Sequence, residues 1–487
     1  MADANVHARA KEWSEAFPAV FAGSTGVPTR SSPSLTIPEA GLGFDCVIGN
    51  PPWERLKLQE REFFALSAMD KKALCALYDF ENKRGVFADV HRAFKFSVLL
   101  MNGNARQTEA ADFVFFAQAI EDLDEPDRQI TLSARDLKIL NPNTRTCPIF
   151  RSRFDCELTK RIYRNVPILI DQNRKSGGNP WELKFFRMFD QTNDAELFRD
   201  AKSLKSEGFH LESNRWIRRN EVYLPIYEAK MVQAYDHRAA SVIVAGGNWM
   251  RQGQTEDTTL VMHQNPEFVA MPRFWVPEVE VLARRGGERK EAFLAMKDVT
   301  SPTNQRTMIA SLIPWSGVVN SAPLMLTTNG ITHRRWCCLL ANLNSFAYDY
   351  VARQKVGGLH LNFFIVEQLP TFPPEKYDEK CPWDKKQTLE KWISERVLKL
   401  TCTADDMRPL ADAAAFKEGM HKWNDSERAQ LRAELDAAYV LLFNFTRDEI
   451  NDVLNGFNGV VKEDAAHGGP GQTRSAILNS FDALGGK

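Results

Sequence analysis

The spacing of apolar residues changes several times along this chain. Trp13 and Phe17 stand one turn apart before Pro18, which predicts a short amphipathic helix over residues 5–17. Gly23 to Ala40 is rich in Ser, Thr, Pro and Gly and predicts a loop. Phe44-Asp45-Cys46-Val47-Ile48-Gly49 is a brief apolar run with a glycine at each end, the pattern of a buried strand. Glu54 to Met69 carries Leu56, Phe63, Phe64 and Leu66 among charges, which predicts a helix. Ala73–Phe80, Phe94–Met101 and Phe113–Gln118 have strand character and would continue one sheet.

The texture changes near Leu140. Asn141 to Thr146 is a polar, turn-rich loop, and the chain to about Pro374 mixes short apolar runs, Gly pairs and aromatics. An irregular α+β region is expected, with strands at Val242–Val244, Leu260–Met262 and Met308–Ile313. Trp249, Trp275, Trp315 and Trp336 are expected in the core. Pro370 to Trp383 reads as a linker. The tail is helical: Leu389, Trp392, Ile393, Val397 and Leu400 share one face, as do Leu431, Leu435, Tyr439 and Leu442 after a cap at Asn424-Asp425-Ser426. Thr446 and Glu449 make a capping box, and Gly-rich residues 463–473 are expected to be disordered.

Composition narrows the class. The 487 residues are 44% hydrophobic and 26% charged, the balance of globular domains, two to four by length. Net charge is -1, so any basic surface must be local. The eight cysteines form no Cys-x-x-Cys and no Cys/His cluster, so no metal is expected. The first ten residues are polar, and no apolar run approaches the roughly 18 residues of a membrane span. A cytoplasmic protein without membrane contact is the expectation.

The Phe44–Gly49 run stops at Asn50-Pro51-Pro52-Trp53. Two prolines cannot continue a strand, so Asn50 and Trp53 are expected on a stiff loop at a strand's carboxyl end. Methylation of an exocyclic amine suits such a loop. The Asn50 amide oxygen and the Pro51 carbonyl can accept the two amino hydrogens and push the nitrogen lone pair toward a methyl donor. Trp53 can stack on a base swung out of the duplex. Asn179-Pro180-Trp181 follows a polar Gly-rich loop instead and reads as a turn.

These residues resemble the large single-chain adenine methyltransferases of type IIG restriction–modification and related phage-defence systems. Asn50 to Arg55 looks like their catalytic motif and flank, with Leu77 to Asn82 and Val90 to Phe96 similar to the last strands of their catalytic domain. Asn141–Thr146, Leu224–Lys230, Tyr235–Arg238 and Asn304–Thr307 continue the likeness. Asn344–Phe346, Arg353–Gly358 and Glu367–Pro370 are similar to the end of their target-recognition domain, an ending shared with type I specificity subunits. The resemblance implies a shortened Rossmann-like α/β methyltransferase core over 1–130. An α+β target-recognition domain over 131–375 and a C-terminal helical region with a flexible end over 376–487 would follow. The implied activity is site-specific methyl transfer from S-adenosylmethionine to N6 of a flipped adenine in double-stranded DNA, with Asn50, Pro51, Pro52 and Trp53 catalytic.

Two departures shape that expectation. No Gly-rich donor loop precedes Phe44, so the residues holding S-adenosylmethionine are unassigned. About two dozen residues separate Trp53 from Asp79, too few for a full doubly wound sheet. The expectation is a methyltransferase incomplete alone, with a second chain supplying the donor-binding region. The alternative is a catalytically inactive DNA-binding specificity subunit or remnant.

Arg306, Arg353, Gln354, Lys355 and His360 are the expected DNA contacts, weighed against ordinary surface charge. Arginine pairs with guanine edges and lysine neutralises phosphate, while Gly357-Gly358 would admit close backbone approach. Glu228-Ala229-Lys230 matches the tail of a metal-dependent nuclease motif but reads better as a turn. Asp236, His237 and Arg238 are expected to form an internal ion pair.

Overall fold

The computed structural model describes residues 68–102, 107–144, 147–243, 253–301, 303–327, 330–356, 358–466 and 469–486. The expected helices over 5–17 and 54–69 lie almost wholly outside the described residues. So do the Phe44–Gly49 strand, the Asn50–Trp53 motif, Trp249 and Gly357. Mixed α/β architecture with several sheets is what the described chain shows. The backbone divides into two compact units, Met1–Asn141 with Arg145–Glu157, and Pro142–Thr144 with Leu158–Lys487.

The first unit holds β1 (Leu74–Glu81), β2 (Lys95–Met101), β3 (Ala110–Ala117) and β4 (Ile130–Ser133), in the order β2-β1-β3-β4. β1 runs parallel to β3, and the other two pairings are antiparallel. Phe80, Val114 and Ala117 form its buried cluster, and Phe96 stacks on Phe80 at 4.8 Å. Among the described strands β2 is an edge, and Val98, Leu99, Leu100 and Met101 stand open to solvent. Helix α1 (Ala134–Leu140) starts at a capping box between Ser133 and Asp136 and buries Leu137 and Leu140.

In the second unit, β5 (Lys184–Phe186), β6 (His210–Glu212), β7 (Arg215–Arg218), β8 (Glu221–Tyr227), β9 (Ala240–Val242) and β10 (Thr255–Asp257) come first. They are followed by β11 (Trp275–Pro277), β12 (Ala292–Met296), β13 (Ala310–Pro314), β14 (Gly317–Val318) and β15 (Leu324–Leu326). One sheet has the order β11-β8-β7-β6 with β14 parallel to β8; another runs β13-β12-β15-β5; β9 and β10 pair alone. β12 and β13 are buried at every position, which is why β12 is a continuous apolar run and β13 one broken only by Ser311. Leu224, Ile226, Val276, Phe293, Ile313 and Trp315 share one core. A Cβ on Gly317 would lie 2.6 Å from Val276, so only glycine lets β14 close onto that core.

Helix α2 (Arg153–Asn165) contains the boundary between the units. Helices α3 (His333–Asn344) and α4 (Phe346–Lys355) meet at Ser345, whose hydroxyl accepts from the Tyr348 amide. The tail supplies α5 (Leu389–Thr401), α6 (Asp425–Leu442), α7 (Arg447–Asn455) and α8 (Gln472–Ala483). Leu389, Trp392, Ile393, Val397 and Leu400 are all buried, Asn424 caps α6, and the Thr446–Glu449 box opens α7. The tail belongs to the same unit as the sheets around Leu224 and Phe293.

Three expectations are corrected. Leu260–Met262 opens a helix, not a strand, because the Thr259 hydroxyl caps the Met262 amide; its apolar residues face solvent. Pro370–Trp383 is no linker: Phe372, Tyr377 and Cys381 are buried, and the Trp181 indole donates to the Phe372 carbonyl at 3.0 Å. The described residues of 463–473 are ordered, with Asp464 at the end of one helix accepting from the Thr473 amide and hydroxyl at 2.9 and 2.6 Å. Asn179 does make a turn, its side chain bonded both to and from Leu183.

Candidate functional site

Arg306 and Arg353 come together, and they face inward. The Arg306 guanidinium lies 3.3 Å from the Phe346 ring centre and 2.9 Å from Asp436. Arg353, one turn along α4 from Asp349, bonds that carboxylate at 2.9 Å and donates to the Asn304 and Gln305 carbonyls at 2.6 Å each. The other oxygen of Asp349 accepts from the Thr307 and Met308 amides at 2.7 and 2.6 Å. Segment 304–308 is thus clasped by α4 and α6. Gly459 lets a tail helix press against it, since a Cβ there would lie 2.6 Å from the Gln305 nitrogen. Burial pushes the Asp436 carboxyl up, against the pull of Arg306, the Phe346 amide and Arg432.

Gln354 accepts from the Thr159 hydroxyl at 2.8 Å, and Lys355 lies over the Tyr163 ring at 4.5 Å. Tyr163 itself donates to the Gln368 carbonyl at 2.7 Å. The Gln368 amide oxygen takes both the Asn143 and Thr144 amides at 3.0 Å. These phrases, 225 and 224 residues from Gln368, are joints between distant stretches of one unit.

Asp236, His237 and Arg238 are internal, as expected, but the pairing differs from a simple ion pair. Arg238 is wholly buried, and its side chain donates to the carbonyls of Asn265, Phe268, His263 and Thr403 at 2.7–2.9 Å. Asp236 instead pairs with His263 at 3.1 Å, and His237 with Asp406 at 2.9 Å. Trp423 stacks on His263 at 3.7 Å, and Arg428 covers its ring at 3.5 Å. Burial raises the Asp236 carboxyl, but the His263 hydrogen bond and the charges of His263 and Arg428 outweigh it and hold it low. Burial also pulls Arg428 down to about 9.

His360 is the exposed member of the expected set. Its ring sits 3.5 Å from Asp298, which Arg187 approaches at 3.6 Å; His360 and Arg187 are both at least half exposed. Arg187 also covers the Phe363 ring. Sequence reading missed Arg187 and Asp298, which stand in no motif. Glu228 and Lys230 pair with one another at 3.0 Å on the turn after β8. Among the described residues no group of three His, Cys, Asp or Glu gathers to hold a metal, and no helix is long and apolar enough to cross a membrane.

The first unit holds a second polar site that no motif announced. A cleft of about 370 Å³ is lined by Glu81, Lys83, Arg84, Phe115, Phe116, Gln118, Asp122, Arg128 and Arg151. Lys83 and Lys95 flank Glu81 at 2.5 and 3.1 Å, and Arg128 lies 3.3 Å from Asp122. The Asp122 carboxyl is held low, first by the Gln118 amide, then by the Ala119 amide and Arg128, against its burial.

No family model matches this chain, and no curated protein matches it.

Proposed function

We propose that this chain is the adenine-holding and site-reading polypeptide of a DNA adenine-N6 methyltransferase, completed by a second chain that binds S-adenosylmethionine. The observation that carries the reading is the apolar run Phe44–Gly49 ending in Asn50-Pro51-Pro52-Trp53. Asn50 and Pro51 would accept from the adenine amino group and Trp53 would stack on the extruded base. The shortened α/β core and the target-recognition domain belong to the same proposal. Support for a reading role comes from the second unit, a braced α+β body with His360 and Arg187 open to solvent beside the buried Asp298. Arg306, Arg353, Gln354 and Lys355 would set the shape of that body.

The test is methyl transfer from radiolabelled donor to host DNA, with and without proteins from neighbouring genes. Label entering DNA in one mixture, and lost with Asn50→Ala, is expected. No transfer in any mixture overturns the reading. A second reading, a DNA-binding specificity subunit without chemistry, is favoured by one observation: the resembling phrases Asn141–Thr144 and Glu367–Pro370 serve as internal joints that require no methyl donor. Site-specific DNA binding without donor binding would select it.

A further inference from the structure

We infer that the cleft of the first unit is an oxyanion site that takes a phosphate group. Four cations, Lys83, Arg84, Arg128 and Arg151, line it against two carboxylates, Glu81 and Asp122. Both carboxylates are already engaged. Asp122 accepts the Gln118 and Ala119 amides at 2.6 and 3.1 Å, and Glu81 is buried behind Lys83 and Lys95. Arg84 and Arg151 are exposed and make no ion pair or hydrogen bond among the described residues. Arg128 keeps a buried Nε with no acceptor. Donor capacity therefore exceeds acceptor capacity in the cleft, the condition a multiply charged oxyanion relieves.

The backbone is shaped around the cleft. The β1–β3 ladder slips between Tyr78 and Phe80, a bulge that places Phe116 in the left-handed region at φ 57°. A bulky residue there is strained, and bulges commonly re-aim side chains beside sites. The bulge turns the Phe115 and Phe116 carbonyls to Arg128, at 3.1 and 2.9 Å. The Phe116 ring receives Lys95 at 4.9 Å and Arg151 at 4.5 Å. Lys83 and Arg84 ride a tight turn over Asn82–Arg84 that ends at Gly85 in the left-handed region. Buried Asn82 fixes the following loop by donating to the Phe87 and Val90 carbonyls and accepting the Phe87 amide. The cations are thus preorganised, which lowers the cost of binding. The volume suits a nucleotide-sized ligand rather than a bare ion.

The phosphate has two sources, a free phosphorylated small molecule or a nucleic-acid backbone. The site stands whether or not the chain takes part in methyl transfer. The experiment titrates full-length protein with 5′-AMP, adenosine, pyrophosphate and a short duplex, alongside the R84Q/R151Q variant. Both arginines are exposed, so the variant should fold, checked by an unchanged melting temperature. The expected result is that the phosphorylated probes bind and adenosine does not, with affinity down about tenfold or more in the variant and falling with salt. Displacement of 5′-AMP by duplex, with weaker duplex binding by the variant, assigns the backbone source. Undisturbed 5′-AMP binding in excess duplex assigns the free one. Equal binding of adenosine and 5′-AMP, no binding of any phosphorylated probe, or a variant that binds as wild type overturns the proposal.

Discussion

Arginine is used in opposite ways at two places in the molecule. In the second unit Arg238, Arg306, Arg353 and Arg428 are turned inward, onto backbone carbonyls, buried carboxylates and aromatic rings. In the first, Arg84 and Arg151 point outward at the mouth of a cleft. A guanidinium carries five donors and cannot be neutralised by proton loss, so once buried it must find acceptors. Where a fold offers unpaired carbonyls, arginine staples it. Where it does not, the donors remain for a ligand.

The sharpest way to break this contrast is Arg238→Met. It strands four carbonyls, those of His263 and Thr403 in buried bonds, and should cost roughly 4 kcal/mol, read by urea or thermal melting. A near-normal melt would show that Arg238 does not staple the unit. Next, Arg306→Ala removes the cation bonded to buried Asp436, leaving only the more distant pull of Arg432, and should cost roughly 3 kcal/mol. Adding Asp436→Asn should recover part of that loss in the same melt, because an amide tolerates burial better than a carboxylate.

Much of the scaffold was legible in the sequence. The strands near 74–81 and 110–117 and the tail helices follow from apolar spacing and caps, since each buries much of its apolar surface, and the strand near 95–101 shows the same spacing while lying open to solvent. The fate of individual polar residues was not. Arg306 and Arg84 look alike in a sequence, because what separates them is an acceptor supplied by a residue far along the chain, Asp436 for one and, among the described residues, none for the other. Leu260–Met262 misled for a local reason, a threonine cap overriding an apolar run. The cleft was invisible because a bulge at Phe116 has no signature in side-chain periodicity.

A smaller effect sharpens the comparison through pH. The Asp236 carboxyl is held below its ordinary value of 3.8 in the folded chain. Its contribution to stability is therefore complete above that value and is lost as pH falls through the lower folded one. Asp236→Asn should flatten the acid limb of the second unit's stability curve, measured by melts between neutral and acid pH. Smallest of all, R84Q/R151Q should change stability by less than about 0.5 kcal/mol, because both side chains are exposed and the contact of Arg151 with the Phe116 ring is a surface one.

Thermal unfolding of R353A and R84Q/R151Q, each with and without 5′-AMP, puts the division between inward and outward arginines to trial in one measurement. R353A should melt early yet keep the ligand-induced rise in melting temperature. R84Q/R151Q should melt like wild type and lose that rise. Finding the reverse, a stable R353A that no longer responds to 5′-AMP and a destabilised R84Q/R151Q that does, would contradict the account.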